Sequence, residues 1–165
     1  MKIFESIKQM LNSAAVNYEH IHHEATPTSE DSARARGDAL SSGAKAIVYK
    51  IQDEFCLFVF AADRKMNPKL IKTYFKDQGK RVKKTRFATS EELIELTGLV
   101  PGSVPPFGKP ILDLDLYADP SLLDNEMISF NAGSLTDSIR MSLKDYMKVA
   151  APIVFDFALE IVNDD

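Results

Sequence analysis

The chain contains no tryptophan and one cysteine among its 165 residues. A single cysteine cannot form an internal disulfide, which excludes a disulfide-stapled extracellular scaffold. Cys56 lies in EFCLFVF, a setting for a small buried hydrophobe rather than a nucleophile. No apolar run approaches the ~20 residues of a membrane span, so no membrane partner is expected. The opening MKIFESIKQMLNSAAV lacks a leader-peptide core, because Glu5, Lys8 and Gln9 interrupt it. The expected location is the cytoplasm. There is no GxSxG elbow, no Walker loop and no HExxH helix. His20, His22 and His23 alternate or adjoin, with no second cluster of His, Cys or carboxylate at ligand spacing. No metal and no cofactor is therefore expected.

Residues 1–165 have the length of one domain and enough apolar residues for a sizeable core. The formal net charge is −4, which taken alone argues against nucleic acid. Its distribution argues the other way. Ten of the twenty Lys and Arg lie between Arg64 and Arg86, with Asp77 the only acid among them. Attraction to phosphate depends on the local patch rather than on the whole-chain sum.

Ile3, Phe4, Ile7, Met10, Leu11 and Ala14 recur at helical spacing, so residues 2–16 read as an amphipathic helix. An extended segment from Asn17 to Glu24 follows. Thr28 and Ser29 ahead of Glu30 and Asp31 read as an N-cap, with a helix running to about Leu40. Ala46–Tyr49 and Phe55–Phe60 read as a hairpin, the second strand apolar enough to be buried on both faces. Asn67-Pro68 opens a helix to about Asp77. Lys83 to Ala88 reads as a strand, and Thr89 caps a short helix ending before Gly98. Ile111–Tyr117, Met127–Asn131 and Ser138–Met141 read as strands and Asp145–Val149 as a helix. Pro152–Phe157 fits a strand or a helix. Many short strands with a few helices predict a mixed α+β domain around a strongly bent sheet.

TGLVPGSVPPFG, residues 97–108, packs Gly98, Pro101, Gly102, Pro105, Pro106 and Gly108 into one stretch. Glycine opens backbone conformations closed to other residues, and proline fixes φ and removes a donor. The product is a rigid loop presenting bare backbone groups, suited to a small ligand at close range. A plain connector is the competing reading. Lys45 follows Gly43-Ala44 and enters an apolar strand, on the face shared with Ile47. A lysine so placed either snorkels outward or serves a pocket.

With HHEATPT, GAKAIV, FAAD and FNAG in order around that loop, the chain resembles the free-standing aminoacyl-tRNA deacylases related to the editing domain of bacterial prolyl-tRNA synthetase, the YbaK-like family. The resemblance runs from about residue 20 to 150. HEA near the start, ADP at 118–120, FNAG at 130–133 and the DY…A.P tail are most similar to the branch that hydrolyses seryl- and threonyl-tRNAs. It implies a barrel-like sheet flanked by helices, and hydrolysis of the ester between an amino acid and the terminal ribose of tRNA. Deacylation of Ala- or Cys-tRNA(Pro), or non-catalytic binding of an aminoacyl-adenosine, is the alternative. The family's Gly-x-x-x-Pro element falls on Gly102 to Pro106, and its lysine on Lys45. The resemblance implies that Lys45 anchors the terminal adenosine, and that backbone N–H groups around Gly102–Val104 serve the developing oxyanion. The ribose's neighbouring hydroxyl would assist the attacking water.

His23 fits the family's histidine segment at the substrate entrance; a plain surface histidine is the other reading. Thr28, Ser103, Val104, Pro105, Pro106 and Phe107 are further candidates for contact with substrate. Asn131 and Gly133 either form a tight turn or close one wall of the pocket. Asp63 reads as a turn residue, with a pocket residue as the other reading. Lys65, Lys69, Lys72 and Lys76, spaced four, three and four, form either a docking stripe for the acceptor stem or a solvated helix face. The expected partner is the acceptor end of an aminoacyl-tRNA, with a synthetase as a second candidate.

Overall fold

The computed structural model describes residues 2–26 and 28–161. Helix α1 spans Lys2–Ser13 and buries Phe4, Ile7 and Leu11, three positions of the anticipated stripe. Strand β1, Tyr18–His22, falls within the predicted extended segment. Helix α2, Ser29–Arg36, begins where the Thr28 hydroxyl accepts from the Asp31 N–H. It stops short of Leu40 because Gly37 turns left-handed, at φ 73°, and folds the chain back. A 3-10 turn over Leu40–Ser42 then delivers the chain into β2.

Strands β2, Ala44–Ile51, and β3, Glu54–Ala61, form the predicted hairpin, longer than expected at both ends. They sit inside a five-stranded sheet of order β5-β2-β3-β6-β9. Here β5 is Thr85–Phe87, β6 is Asp115–Ala118 and β9 is Ile153–Val154. Both β3–β6 and β6–β9 are parallel, whereas β2 pairs antiparallel on each side. The second sheet is antiparallel, of order β1-β8-β7, from β7, Met127–Asn131, and β8, Asp137–Ser142. Strand β4, Arg64–Met66, which the sequence reading missed, pairs with β10, Ala158–Glu160. Among the described residues, one parallel bridge, Gly43 to Ser129, links the two larger sheets. The result is a bent, incompletely closed wall of strands flanked by helices.

The remaining helices are α3, Pro68–Asp77, α4, Ser90–Thr97, and α5, Leu143–Ala150. Asn67 caps α3, with Pro68 in its first turn, and Thr89 and Glu92 close a reciprocal capping box on α4. These local signals were all in the sequence.

Alternation along β3 divides the interior in two. Leu57 and Val59 face a mainly aliphatic core that also holds Phe4, Ile7, Ile139 and Tyr146. Cys56, Phe58 and Phe60 face an aromatic core with Tyr49, Phe75, Tyr117 and Phe157. Both faces of β3 are thus buried, as its continuous apolar run predicted. Burial pushes the Cys56 thiol up to about 11, so it is no nucleophile near neutral pH. The predicted strand over Ile111–Tyr117 is shorter. Ile111 and Leu112 instead donate to the Gly108 carbonyl, and Leu112 and Leu114 fill the core from a turn. Pro152–Phe157 resolves into the short β9 followed by irregular chain. Asp119 fixes that tail: its carboxylate accepts from the Phe157 and Ala158 N–H groups at 2.8 and 2.9 Å.

Candidate functional site

Where the two larger sheets meet, a cavity of about 520 Å³ opens. One wall is the start of β2, from Gly43 through Lys45 to Ile47. Another is α2 and its approach, with Thr26, Thr28, Ser32 and Arg36. The third combines Pro101, Gly102 and Val104 with Ser129 and Asn131 at the end of β7. Lys45 is exposed and stands opposite Phe60 in the hairpin register. It is on the strand face shared with Ile47, as alternation requires.

The Gly/Pro loop divides into two parts. Val100–Ser103 forms a turn in which the Ser103 N–H donates to the Val100 carbonyl at 3.1 Å. Proline precedes a glycine with φ 88°, the arrangement a type II turn needs. Pro101 and Gly102 are exposed at the cavity, while residues 103–108 are buried. The Ser103 N–H is thereby occupied. Among the described residues, those of Gly102 and Val104 make no protein hydrogen bond.

Asn131 holds the exposed turn. Its Nδ2 donates to the Gly102 carbonyl at 2.7 Å and reaches Ser32 Oγ at 3.4 Å. Its Oδ1 accepts from Ser138 Oγ at 3.0 Å and from Arg36 Nη1 at 3.4 Å. His23 joins behind them, with Nε2 2.8 Å from Ser138 Oγ and Nδ1 2.8 Å from the Glu24 carbonyl. An amide side chain thus connects α2, β8 and the loop.

Like Glu30 and Arg64, Arg36 is a charged residue of the wall that sequence reasoning passed over. Its side chain is 4% exposed and lies 3.4 Å from Asp38, whose other oxygen pairs with Arg140 at 2.6 Å. Burial lowers the guanidinium's pKa from its ordinary value, with Asp38 opposing that shift. It remains charged at neutral pH, because guanidinium titrates so high. Nothing local in RARGD marks it for the interior; its partners Asn131 and Ser138 lie in the last third of the chain. Ser32, Thr26 and Ser129 were missed for the same reason.

The structure gathers Lys45, Thr28, Gly102, Val104 and Asn131 around the cavity. Ser103, Pro105, Pro106, Phe107, Gly133 and His23 are not on its wall. Phe107 packs edge-on to Phe130, centroids 5.4 Å apart, and against Tyr146. Tyr146 donates its buried hydroxyl to the Pro106 carbonyl at 2.6 Å. Gly133, at φ 76°, is a turn position, and a Cβ there would meet Ile3 Cγ2 of α1 at 2.8 Å. These residues position the loop from behind. His20 and His22 both bond Asp137, at 2.8 and 3.0 Å. Burial would raise the Asp137 carboxyl, but bonds from His22, His20, Thr136 and Ser134 outweigh it and hold it below the ordinary range.

The lysine stripe divides between two elements: Lys65 lies on β4, and Lys69, Lys72 and Lys76 lie on α3. Lys72 is half-buried and lines a second cavity of about 510 Å³ with Lys50, Lys83, Lys84 and Arg86. Among the described residues no cluster of His, Cys, Asp or Glu could hold a metal ion, and no helix is long and apolar enough to cross a membrane.

Comparison with known proteins places this geometry. The family profile of the aminoacyl-tRNA editing domain matches residues 23–149. A curated relative, the multifunctional Ser/Thr-tRNA deacylase ProXp-y of Escherichia coli (strain K12), is 33% identical over 154 residues, covering 90% of this chain and 88% of the relative. The proline–tRNA ligase of Macrococcus caseolyticus (strain JCSC5402) is 23% identical over 146 residues, covering 88% of this chain and 23% of the ligase. A solved structure described as a candidate trans-editing enzyme for prolyl-tRNA synthetase superposes with a TM-score of 0.77 at 22% identity. That match covers 96% of this chain and 98% of that one, and establishes the shared fold.

Proposed function

The chain belongs to the aminoacyl-tRNA editing domain family, and from that premise we propose that it hydrolyses the ester of mischarged aminoacyl-tRNA, with seryl- and threonyl-tRNA as preferred substrates. Residues 1–165 act as one editing domain in the cytoplasm, and the partner is the tRNA acceptor end. The observation that carries this reading is the shared cavity. Lys45 from β2 and Gly102 from the loop, distant in sequence, line one space of about 520 Å³.

The chemistry asked of the protein is modest. Water attacks the ester carbonyl, the bond to the ribose oxygen breaks, and that oxygen leaves with a proton. The Gly102 and Val104 N–H groups are the candidate donors to the oxyanion, in a loop already organised by Asn131. Lys45 holds the terminal adenosine so that the ester lies against those donors, which is catalysis by positioning. Val104, Thr28 and Asn131 line the amino-acid end. Ser103, Pro105, Pro106 and Phe107 act from behind the loop, Gly133 through the turn against α1, and His23 through Ser138. Glu30 is the carboxylate on the cavity wall among the described residues, and the ribose's own hydroxyl is the second candidate to assist the attacking water.

Incubation with a panel of charged tRNAs, followed by measurement of released amino acid, tests the reading. Release from seryl- and threonyl-tRNA is expected. Binding without release from any tRNA would make the domain a non-catalytic module. Lys45→Ala should lower single-turnover hydrolysis on the order of 10²-fold without lowering the melting temperature. Near-wild-type turnover would remove Lys45 from the site.

Acceptor-stem docking falls to the Lys65, Lys69, Lys72 and Lys76 surface. Charge reversal at Lys69, Lys72 and Lys76 should flatten the salt dependence of tRNA binding and leave hydrolysis of a minimal aminoacyl-adenosine ester unchanged. Equal salt slopes in variant and wild type would make the stripe a solvated face.

A further inference from the structure

On the α2 wall, Ser32 places a hydroxyl on the cavity from a position only 3% exposed. The proton of that hydroxyl is committed. Ser32 Oγ donates to Thr26 Oγ1 at 2.7 Å, and Thr26 Oγ1 donates to the Leu135 carbonyl at 3.3 Å. A carbonyl oxygen can only accept, so the polarity of this chain runs one way. Ser32 lines the cavity, and its Oγ is therefore left as an acceptor. Among the described residues the one donor that reaches it is Asn131 Nδ2, across a long 3.4 Å, and the short bond of that amide goes to the Gly102 carbonyl. A hydroxyl oxygen has two lone pairs. A buried acceptor on the cavity wall is left open to a donor from the ligand.

We propose that Ser32 is a specificity-determining residue of the editing site, accepting a hydrogen bond from the side-chain hydroxyl of a seryl or threonyl substrate. The inference rests on the deacylase reading above. Alanine would leave the oxygen enclosed without its partner, and a site built around a polar partner rejects an analogue lacking it more strongly than an apolar pocket can. Thr26 is a positioning residue: by taking the Ser32 proton it prevents that oxygen from turning donor. Asn131 ties the acceptor to the loop, since the same amide bonds both Ser32 and Gly102.

The substrate's α-ammonium is also a donor, but it is common to every amino acid. That difference decides the test. Binding of non-hydrolysable, amide-linked seryl- and alanyl-adenosine is measured by calorimetry on the wild type, Ser32→Ala and Ser32→Cys, with a melt of each protein. The wild type is expected to prefer the seryl analogue by up to about tenfold, the range of one neutral hydrogen bond. Ser32→Ala should lose that preference by losing seryl affinity alone. Ser32→Cys keeps a side chain of similar size with a poor acceptor, and should fall between. Equal losses for both analogues would overturn the proposal and give Ser32 to the ammonium or to the fold. A seryl preference that survives both variants would overturn it too. Hydrolysis of seryl-tRNA by the wild type is scored separately. Failure there sinks the deacylase reading, while the analogue preference still reports on Ser32.

Discussion

The two halves of the Gly/Pro loop are made of the same residues and end up in opposite environments. Pro101-Gly102 is exposed at the cavity mouth, held by one side-chain amide from β7. Pro105 to Gly108 is sealed in the core, pinned by the Tyr146 hydroxyl and by Phe107 between two aromatic rings. Composition makes both halves stiff, and only the partners decide which half meets a ligand. One half should therefore govern rate and the other stability.

Gly108→Ala should have the largest effect. A Cβ there would meet the Leu114 carbonyl oxygen at 2.7 Å, and backbone cannot step aside as a flexible side chain can. A loss of about 3 kcal/mol is expected by denaturant titration. Gly102→Ala should do the reverse. Single-turnover hydrolysis is expected to fall on the order of 10²-fold, as when an oxyanion donor is displaced. The left-handed φ adds about 1 kcal/mol of strain. If the two glycine variants shift rate and stability in the same ratio, the contrast between the halves is broken.

Tyr146→Phe isolates the pin. It strands the buried Pro106 carbonyl and should lower stability by about 2 kcal/mol. Asn131→Ala releases the other half. It should lower the rate about tenfold as the Gly102 bond is lost, with a stability loss of about 1 kcal/mol, because Ser138 and Arg36 keep each other and His23 as partners. A stability loss in Asn131→Ala matching that of Tyr146→Phe would mean that both ends are structural. Acid gives the mildest probe. The Glu92 carboxyl is held down to about 2, first by its hydrogen bond with Arg86 and then by the Thr89 backbone at the cap of α4. A carboxyl depressed on folding stabilises above its ordinary value near 4.5, and that share is lost as pH falls towards 2. Glu92→Gln should melt with a shallower dependence on pH across that window, and an identical pH profile would leave the cap without influence on the approach to the loop.

What was legible in the sequence is what depends on near neighbours. Thr28, Thr89 and Asn67-Pro68 set their helix starts through bonds within three residues, and the structure has those starts. Met127–Asn131 reads as a strand in the sequence and is one in the structure, with the same bounds. Ile-Leu-Asp-Leu-Asp-Leu over 111–116 alternates apolar and acidic residues, yet most of it is a turn, because Gly108 offers its carbonyl to residues 111 and 112 first. The candidate site divides in the same manner. Lys45 and Gly102 were found by motif. Arg36, Ser32 and Thr26 belong to a network whose far ends are Asn131, Leu135 and Ser138, and no spacing within RARGD or HEATP announces it.

The parallel pairing of β3 with β6 carries a consequence for the order of folding. The β2–β3 hairpin closes through a short turn, whereas Cys56–Val59 must wait for Asp115–Ala118 across an intervening strand, helix, strand, helix and loop. Closing so long a stretch is entropically slow, so the hairpin is expected to form early and the parallel seam late. The cavity lies later still, because it needs the β1-β8-β7 sheet to reach Gly43 through Ser129. During refolding, circular dichroism should recover its strand signal before hydrolysis returns. A nascent or damaged chain would then pass through no partly competent state, and ester cleavage would report on the finished molecule alone.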